Sequence, residues 1–256
     1  MKRIPLLSLL KLRFPDVPPD ELYARVLCGE VSVDGERVID PKKQVKADTQ
    51  LKFRKPSFVS RGGEKLDAAI ERLGVRIEGL VFLDAGASTG GFTDALLSRG
   101  AAAVHAVDVG YNQLAYSLRE NPRVFVHERT NIMALTALDP VPDAAVADLS
   151  FRSLRGAAAH LLSLVRLHWA LVLFKPQFEK AVTSSIQDGD FRGLVKSDEE
   201  RLELLRALEK DLLNEGVQIA ASVESPIAGK KKGNREIVLL IHSEDVPAPA
   251  FDRSLE

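Results

Sequence analysis

Cysteine is nearly absent from this chain. Cys28 is the single thiol among 256 residues, so no disulfide forms within the chain and no cysteine cluster holds zinc. So little thiol chemistry fits a reducing compartment, and we expect a cytoplasmic protein. Long apolar runs are missing as well. No stretch of about 18 apolar residues occurs, which excludes a membrane-spanning helix. The nearest thing to a signal segment is Lys2-Arg3 followed by Ile4 to Leu10. Lys11 and Arg13 break that run and no small-residue cleavage site follows, so it reads as an amphipathic helix of the mature chain. There is no internal repeat and no low-complexity tract.

What is present is an ordinary core with an uneven charge. A 45% hydrophobic and 28% charged composition supplies both a sizeable interior and a soluble surface. At about 150 residues per domain, the length suits one large domain or two unequal ones. The net charge of −1 conceals an asymmetry: residues 1–65 carry 14 Lys+Arg against 9 Asp+Glu, and the remainder 21 against 27. A basic front and an acidic body suit an anionic partner at the front, or simply a solvated surface.

Residues 1–53 form a pattern of their own. A helix over Leu6 to Leu12 precedes Pro15, Pro18 and Pro19, and a second runs from about Asp20 to Leu27, ended by Gly29 in a left-handed turn. Val31 to Val38 alternates valines with polar residues around Asp34-Gly35, a hairpin signal because both turn residues tolerate positive φ. A basic loop with Lys42, Lys43 and Lys46 leads to a strand over Gln50 to Phe53. This order of elements resembles the S-four type RNA-binding domain, which implies that the second helix and the hairpin present cations to structured RNA. Residues 54–63, containing Arg54 and Arg61, read as a basic linker.

From Glu64 the pattern turns helical, with Leu66, Ala69, Ile70 and Leu73 on one face. Seven short apolar segments follow: Val81–Asp84, Ala103–Asp108, Arg123–His127, Ala144–Asp148, Ala170–Phe174, Gln218–Ser222 and Glu236–His242. The first five alternate with helices, which predicts a parallel sheet covered on both faces. The last two have only a loop between them and should pair antiparallel. Ser197-Asp198-Glu199-Glu200 is a capping box before Leu202, Leu205, Leu208 and Leu212. We therefore expect an α/β fold: a doubly wound, mostly parallel seven-stranded sheet over 64–243 with a terminal antiparallel pair, a small N-terminal α+β domain, and a tail over 244–256. That layout resembles the class I, Rossmann-like methyltransferase fold.

Val81-Phe82-Leu83-Asp84-Ala85-Gly86-Ala87-Ser88-Thr89-Gly90-Gly91-Phe92-Thr93 is a buried strand, a glycine-rich turn and a helix start. Glycine there serves close approach of backbone to a ligand, or only close packing of helix on sheet. In an open parallel sheet ligands bind at the carboxyl ends of the strands. The spacing is Gly-x-x-x-Gly-Gly, unlike the dinucleotide fingerprint, and no Gly-Lys-Ser/Thr cradle for a triphosphate is present. Asp108 ends the second strand 22 residues after Gly86, where an acid can accept both hydroxyls of a ribose. Asp84 would repel a diphosphate and suit an ammonium. The candidate cofactor residues are Asp84, Gly86, Ser88, Thr89, Gly90, Gly91, Phe92 and Asp108. Asn131, after the third strand, is placed for an adenine contact or is a loop-turn residue.

Asp148 and Lys175 each end a buried strand at this same edge. An ionisable group there is costly unless paired or used, so the two form a structural ion pair or a reacting pair. Ser60-Arg61-Gly62-Gly63-Glu64-Lys65-Leu66, the glycine loop, Asp148-Leu149-Ser150-Phe151, Lys175-Pro176-Gln177-Phe178-Glu179 and Gly233-Asn234-Arg235-Glu236 together resemble the hemolysin-A-like (TlyA) ribosomal RNA methyltransferases. These are relatives of the FtsJ type of RNA 2′-O-methyltransferase. The resemblance implies S-adenosyl-L-methionine as cofactor, ribosomal RNA or ribosomal subunits as partner, and a catalytic Lys-Asp-Lys-Glu tetrad falling on Lys65, Asp148, Lys175 and Glu236. A ribose hydroxyl is a poor nucleophile, and a neutral lysine amine can accept its proton. Burial and a second nearby cation both favour that neutral form. Lys175 is the candidate base, Lys65 the neighbouring cation, Asp148 the group that orients Lys175, and Glu236 the holder of Lys65 or of a ribose hydroxyl.

Lys230, Lys231 and Lys232 precede Glu236 and either grip a phosphate backbone or form a solvated loop. The segment from Glu179 to Lys196 is a lid over RNA or a long loop. Two other functions fit parts of the pattern. One is a non-catalytic RNA-binding ribosome-assembly factor. The other is a membrane-active hemolysin, for which the sequence offers no long amphipathic apolar face.

Overall fold

A computed structural model describes residues 3–27, 29–53, 57–150, 152–183, 195, 197–225 and 236–251. The chain divides into two compact units, Met1–Ser60 and Arg61–Glu256.

The first unit runs β1 (Arg3–Pro5), α1 (Leu6–Arg13), α2 (Pro19–Leu27), β2 (Val31–Val33), β3 (Glu36–Val38), β4 (Gln44–Lys46) and β5 (Leu51–Phe53). β2 pairs with β3 and β5 in a three-stranded antiparallel sheet. The hairpin turn has Asp34 at φ 52° and Gly35 at φ 88°, as the Asp-Gly signal requires. Asp34 does more than turn the chain. Its carboxylate accepts from Thr49 Oγ1 at 2.7 Å and Gln50 N at 2.8 Å, fastening the hairpin to the loop before β5. These bonds hold its pKa below the ordinary carboxylate value. Gly29 N–H donates to Val26 O and Glu30 N–H to Arg25 O, the paired bonds of a left-handed helix end. Leu6, Leu9, Leu10, Leu22, Val26, Val31 and Val38 fill the core of this unit. The short β1–β4 pair, Arg3↔Lys46 to Pro5↔Gln44, is not visible in the sequence because three residues carry too little periodicity. It moves Lys46 out of the expected basic loop and onto a strand.

The second unit contains α3 (Arg61–Leu73), β6 (Val81–Ala85), α4 (Gly91–Ser98), β7 (Ala103–Val107), α5 (Tyr116–Arg119), β8 (Val124–His127), β9 (Ala144–Ala147), α6 (Ala157–Ser163), β10 (Trp169–Phe174), α7 (Pro176–Thr183), α8 (Asp198–Asn214), β11 (Val217–Glu224) and β12 (Ile237–Ser243). The sheet order is β11-β12-β10-β9-β6-β7-β8. β12 lies between β10 and β11 and is antiparallel to both, and the other pairings are parallel. Helix α3 begins at Arg61, three residues before the expected start. Arg61, Gly62 and Gly63 therefore belong to a helical turn.

Successive strand residues face opposite sides of the sheet. Leu83, Ala85, Ala145, Ala147, Val172, Phe174, Leu239 and Ile241 share one core cluster with Leu161 of α6 and with Leu204, Leu208 and Leu212 of α8. Asp84, between Leu83 and Ala85, must then point to the other face, where α4 packs. Ser197 caps α8 by accepting from Glu200 N at 3.1 Å. The buried face of α8 is Arg201, Leu204, Leu208 and Leu212. Leu202, expected on that face, is 45% exposed, because the heptad-like spacing admitted two registers of the stripe.

Candidate active site

Strand register assembles the site. β10 and β12 pair Phe174 with Ile237, so Lys175, just after one strand, lies opposite Glu236, just before the other. β10 and β9 pair Val172 with Ala147, and β9 pairs with β6 through Ala147↔Ala85. Asp148 thus leaves the sheet at the edge where Lys175 and the glycine loop also leave it. Lys175 Nζ is ion-paired with Asp148 Oδ1 and donates to Ser150 Oγ at 3.1 Å. Its ammonium lies 5.7 Å from the ring centre of Phe178. Lys65, on α3, is ion-paired with Glu236 Oε2. Lys175 and Glu236 are only 8% and 6% exposed. All four tetrad residues therefore meet in two ion pairs, most of whose atoms are withdrawn from water. Removing one partner from a buried pair strands the other, at a cost of roughly 3–5 kcal/mol.

The glycine loop joins β6 to α4. Gly86 has φ 85°, and a Cβ there would lie 2.8 Å from the backbone oxygen of Asp148. Gly86 N and Ala87 N donate to Val107 O at 2.8 and 3.1 Å, binding the loop to the end of β7. Asp108 continues this fastening: its carboxylate accepts from Ser88 N at 2.8 Å and Gly110 N at 2.6 Å. A carboxylate offers about four lone-pair sites, so these two bonds orient Asp108 and leave acceptor capacity for a ligand. Ser88 and Thr89 are exposed. A small cavity opens beside Asp108, lined by Ala87, Ser88, Gly110, Gln113, Leu114 and Glu128 among others.

Asp84 is fully buried. Its Oδ2 accepts from Thr93 Oγ1 at 2.6 Å, and its Oδ1 has no hydrogen-bond partner. Burial pushes its pKa up to about 7. The Thr93 bond works against that shift, and the carboxylates of Asp148 and Asp108 add to it. An unpartnered buried oxygen at the start of a glycine loop fits a donor group arriving with a ligand, and an ammonium would supply both the donor and the missing charge. Thr93, which orients Asp84, is absent from the expected site residues. Its position one turn into α4, on the sheet-facing side, is the signal that was available.

Several expected residues are also engaged within the protein. Gly90 does have φ 93°, but a Cβ there would lie 2.3 Å from Leu118 Cδ1 and 2.8 Å from Leu114 Cδ1. A side chain there would have to displace both leucines and adopt a left-handed φ. Gly91 opens α4 and is buried, and Phe92 is a core residue only 4% exposed. Asn131 accepts from Met133 N at 3.0 Å and caps a short 3-10 turn, which accounts for it as a turn residue. Glu179, the last residue of the Lys-Pro-Gln-Phe-Glu motif, is buried. It accepts from Ser153 Oγ, Leu154 N and Arg155 Nη1, tying α7 to the segment before α6.

Of the cations expected at RNA, Lys42 and Lys46 are exposed. Lys43 is also exposed and lies 3.9 Å from Glu36. Arg61 opens α3 and is half-buried. Arg54, Lys230, Lys231 and Lys232, and the middle of the expected lid, lie outside the described residues.

A doubly wound sheet with one reversed strand next to its edge, and a glycine loop after its first strand, defines a Rossmann-like methyltransferase fold. The sequence family described as FtsJ-like methyltransferase matches residues 58–241, and the chain belongs to that family. Hemolysin A of Brachyspira hyodysenteriae is 36% identical over 216 residues, covering 82% of this chain and 88% of that one. The 16S/23S rRNA (cytidine-2′-O)-methyltransferase TlyA of Mycobacterium tuberculosis is 48% identical over 157 residues. That match covers 59% of each protein, so this chain spans under two thirds of the length of that relative. The solved structure of a candidate hemolysin from Streptococcus thermophilus superposes with a TM-score of 0.70 at 31% identity, covering 100% of this chain and 94% of that one. Among the described residues no helix is long and apolar enough to cross a membrane.

Proposed function

We propose that this protein is an S-adenosyl-L-methionine-dependent methyltransferase of the cytoplasm that methylates a ribose 2′-hydroxyl of ribosomal RNA. The observation that carries the reading is the double ion pair, Lys175 with Asp148 and Lys65 with Glu236, at the strand ends beside the glycine loop. The relatives' names, which for TlyA specify a cytidine 2′-hydroxyl, agree with it.

Bound S-adenosyl-L-methionine would supply an electrophilic methyl on a cationic sulfur. Asp84 would hold its ammonium with the unpartnered Oδ1, Asp108 its ribose, and the backbone at Gly86 would let the ligand lie close to the loop. Asp148 and Ser150 fix the position of the Lys175 ammonium. A Lys175 amine that has given its proton to solvent would accept the proton of the attacking hydroxyl. Lys65 is restrained by Glu236, which lies at the same strand ends, opposite Lys175. Alignment of hydroxyl and methyl would contribute much of the rate.

The unit ending at Ser60 would supply RNA affinity through Lys42, Lys43 and Lys46, in the manner of an S-four type domain. Arg54, Arg61, Lys230, Lys231 and Lys232 would add phosphate contacts. The deciding experiment is transfer of labelled methyl from S-adenosyl-L-methionine to purified ribosomal subunits, followed by mapping of the modified nucleotide. Incorporation at a ribose that alkali then fails to cleave supports the reading. Cofactor binding without transfer to any subunit would favour an RNA-binding assembly factor.

A further inference from the structure

The stretch from the end of β7 to the first residue of α5 carries three large residues in solvent. Val109 is 71% exposed, Tyr111 63% and Tyr116 75%. Over the Tyr111 ring, 4.0 Å from its centre, sits the guanidinium of Arg129. The stacking is built in by the backbone. Arg129 adopts φ 53°, in the left-handed region that non-glycine residues rarely enter. Its N–H donates to Gly110 O at 2.9 Å, and Thr130 N–H donates to Asp108 O at 2.9 Å, so the two loops are joined directly beneath the pair.

The charge is unused. Among the described residues no carboxylate pairs with Arg129, whereas its neighbour Arg119 is taken by Glu128. A guanidinium held over a ring face with no carboxylate partner has N–H groups to offer a phosphate or a base edge. Neither Tyr111 nor Arg129 lines the cavity beside Asp108, so the pair stands outside the space suited to the cofactor's ribose.

An exposed aromatic ring stacked with an unpaired arginine is how proteins hold unstacked nucleotides. The geometry points to Tyr111 and Arg129 as a stacking platform for an unpaired base of the RNA substrate. This rests on the reading of the protein as an RNA methyltransferase, and it adds a recognition element within the methyltransferase unit.

The test uses the full-length protein and a short labelled single-stranded RNA of mixed sequence, titrated by fluorescence anisotropy. Cofactor affinity is measured in parallel by calorimetry with S-adenosyl-L-methionine. Tyr111→Ala should weaken RNA binding by about tenfold or more, and Arg129→Ala by a similar factor, since one base stacked on an aromatic ring contributes about that much. Tyr111→Phe keeps the ring and should bind as the unaltered protein does. Cofactor affinity should stay the same throughout. Undiminished RNA binding in both alanine variants overturns the platform, as does a wild-type protein that fails to bind the RNA. Loss of cofactor affinity with intact RNA binding also overturns it and assigns the pair to the cofactor. If the variants lose RNA binding as expected while the wild type transfers no methyl group, the platform stands and the catalytic reading fails.

Discussion

Lys175 and Glu236 are 61 residues apart in the chain, yet they face each other because β12 runs antiparallel beside β10 with Ile237 opposite Phe174. Each then holds a partner from another element: Asp148 after β9 for Lys175, and Lys65 on α3 for Glu236. A reversed strand puts the beginning of one segment at the end of another. That is how a residue that opens a strand joins residues that close strands.

Lys175→Ala should leave cofactor affinity unchanged and lower methyl transfer by about 10²–10⁴-fold, the usual contribution of a positioned general base. Asp148→Ala should come close to it, because the lysine loses the carboxylate that fixes it. Single-turnover transfer to ribosomal subunits measures both. A rate within a few-fold of wild type for Lys175→Ala would remove it from the chemistry and leave a structural ion pair.

The stability of the free protein should depend on Asp84. An unfolded aspartate titrates near about 3.9, and burial pushes this one up to about 7. Between those values the folded state binds the extra proton. Stability from this group therefore falls as pH rises through that window, and the loss is complete above about 7. Asp84→Asn should raise the melting temperature at pH 8 and change it little near pH 4, with a gain on the order of a few kcal/mol at most. The same substitution should weaken cofactor binding, and wild-type affinity for the cofactor's ammonium should rise with pH as Asp84 ionises. A variant no more stable at pH 8 than at pH 4, relative to wild type, would show that Asp84 is ionised at little cost in the folded protein.

Gly90→Ala should act on stability before it acts on binding. The left-handed φ and the 2.3 Å approach to Leu118 strain any side chain there, and a loss of about 1–3 kcal/mol follows from such positions. Gly86→Ala instead presses on the backbone of Asp148 and should lower methyl transfer by a larger factor than Gly90→Ala. Thermal unfolding read alongside turnover separates the two. Equal effects of both variants on both readouts would contradict this division.

Neutralising Lys42 and Lys46 to glutamine should weaken ribosomal RNA binding and flatten its salt dependence, by roughly 0.7 in the log–log slope for each single-strand phosphate contact removed. Lys43→Gln should do less, since its ammonium already has Glu36 within 3.9 Å. Turnover at saturating RNA should be preserved. An unchanged salt slope in the double variant would make these lysines ordinary surface.

The sequence alone determined the period-two and helical stripes, the Asp34-Gly35 hairpin, the cap at Ser197 and seven strands close to their observed bounds, since these are short-range consequences of side-chain size, polarity and backbone freedom. It also marked Asp84, Asp108, Asp148 and Lys175, because a charge at the end of an apolar strand stands out in one dimension. It did not reveal the β1–β4 pair, whose three-residue strands carry no period. It left Asn131 open between two roles, and it offered Gly90 and Phe92 to a ligand. Only the tertiary structure shows what surrounds them, through neighbours distant in the chain: Leu118 lies beside Gly90, and Phe92 is buried in the core. The pairing of Arg129 with Tyr111 across two loops, and of Thr93 with Asp84 between helix and strand, likewise came from register and packing. Periodicity records which way a side chain faces, and contact depends on what the rest of the chain brings to meet it.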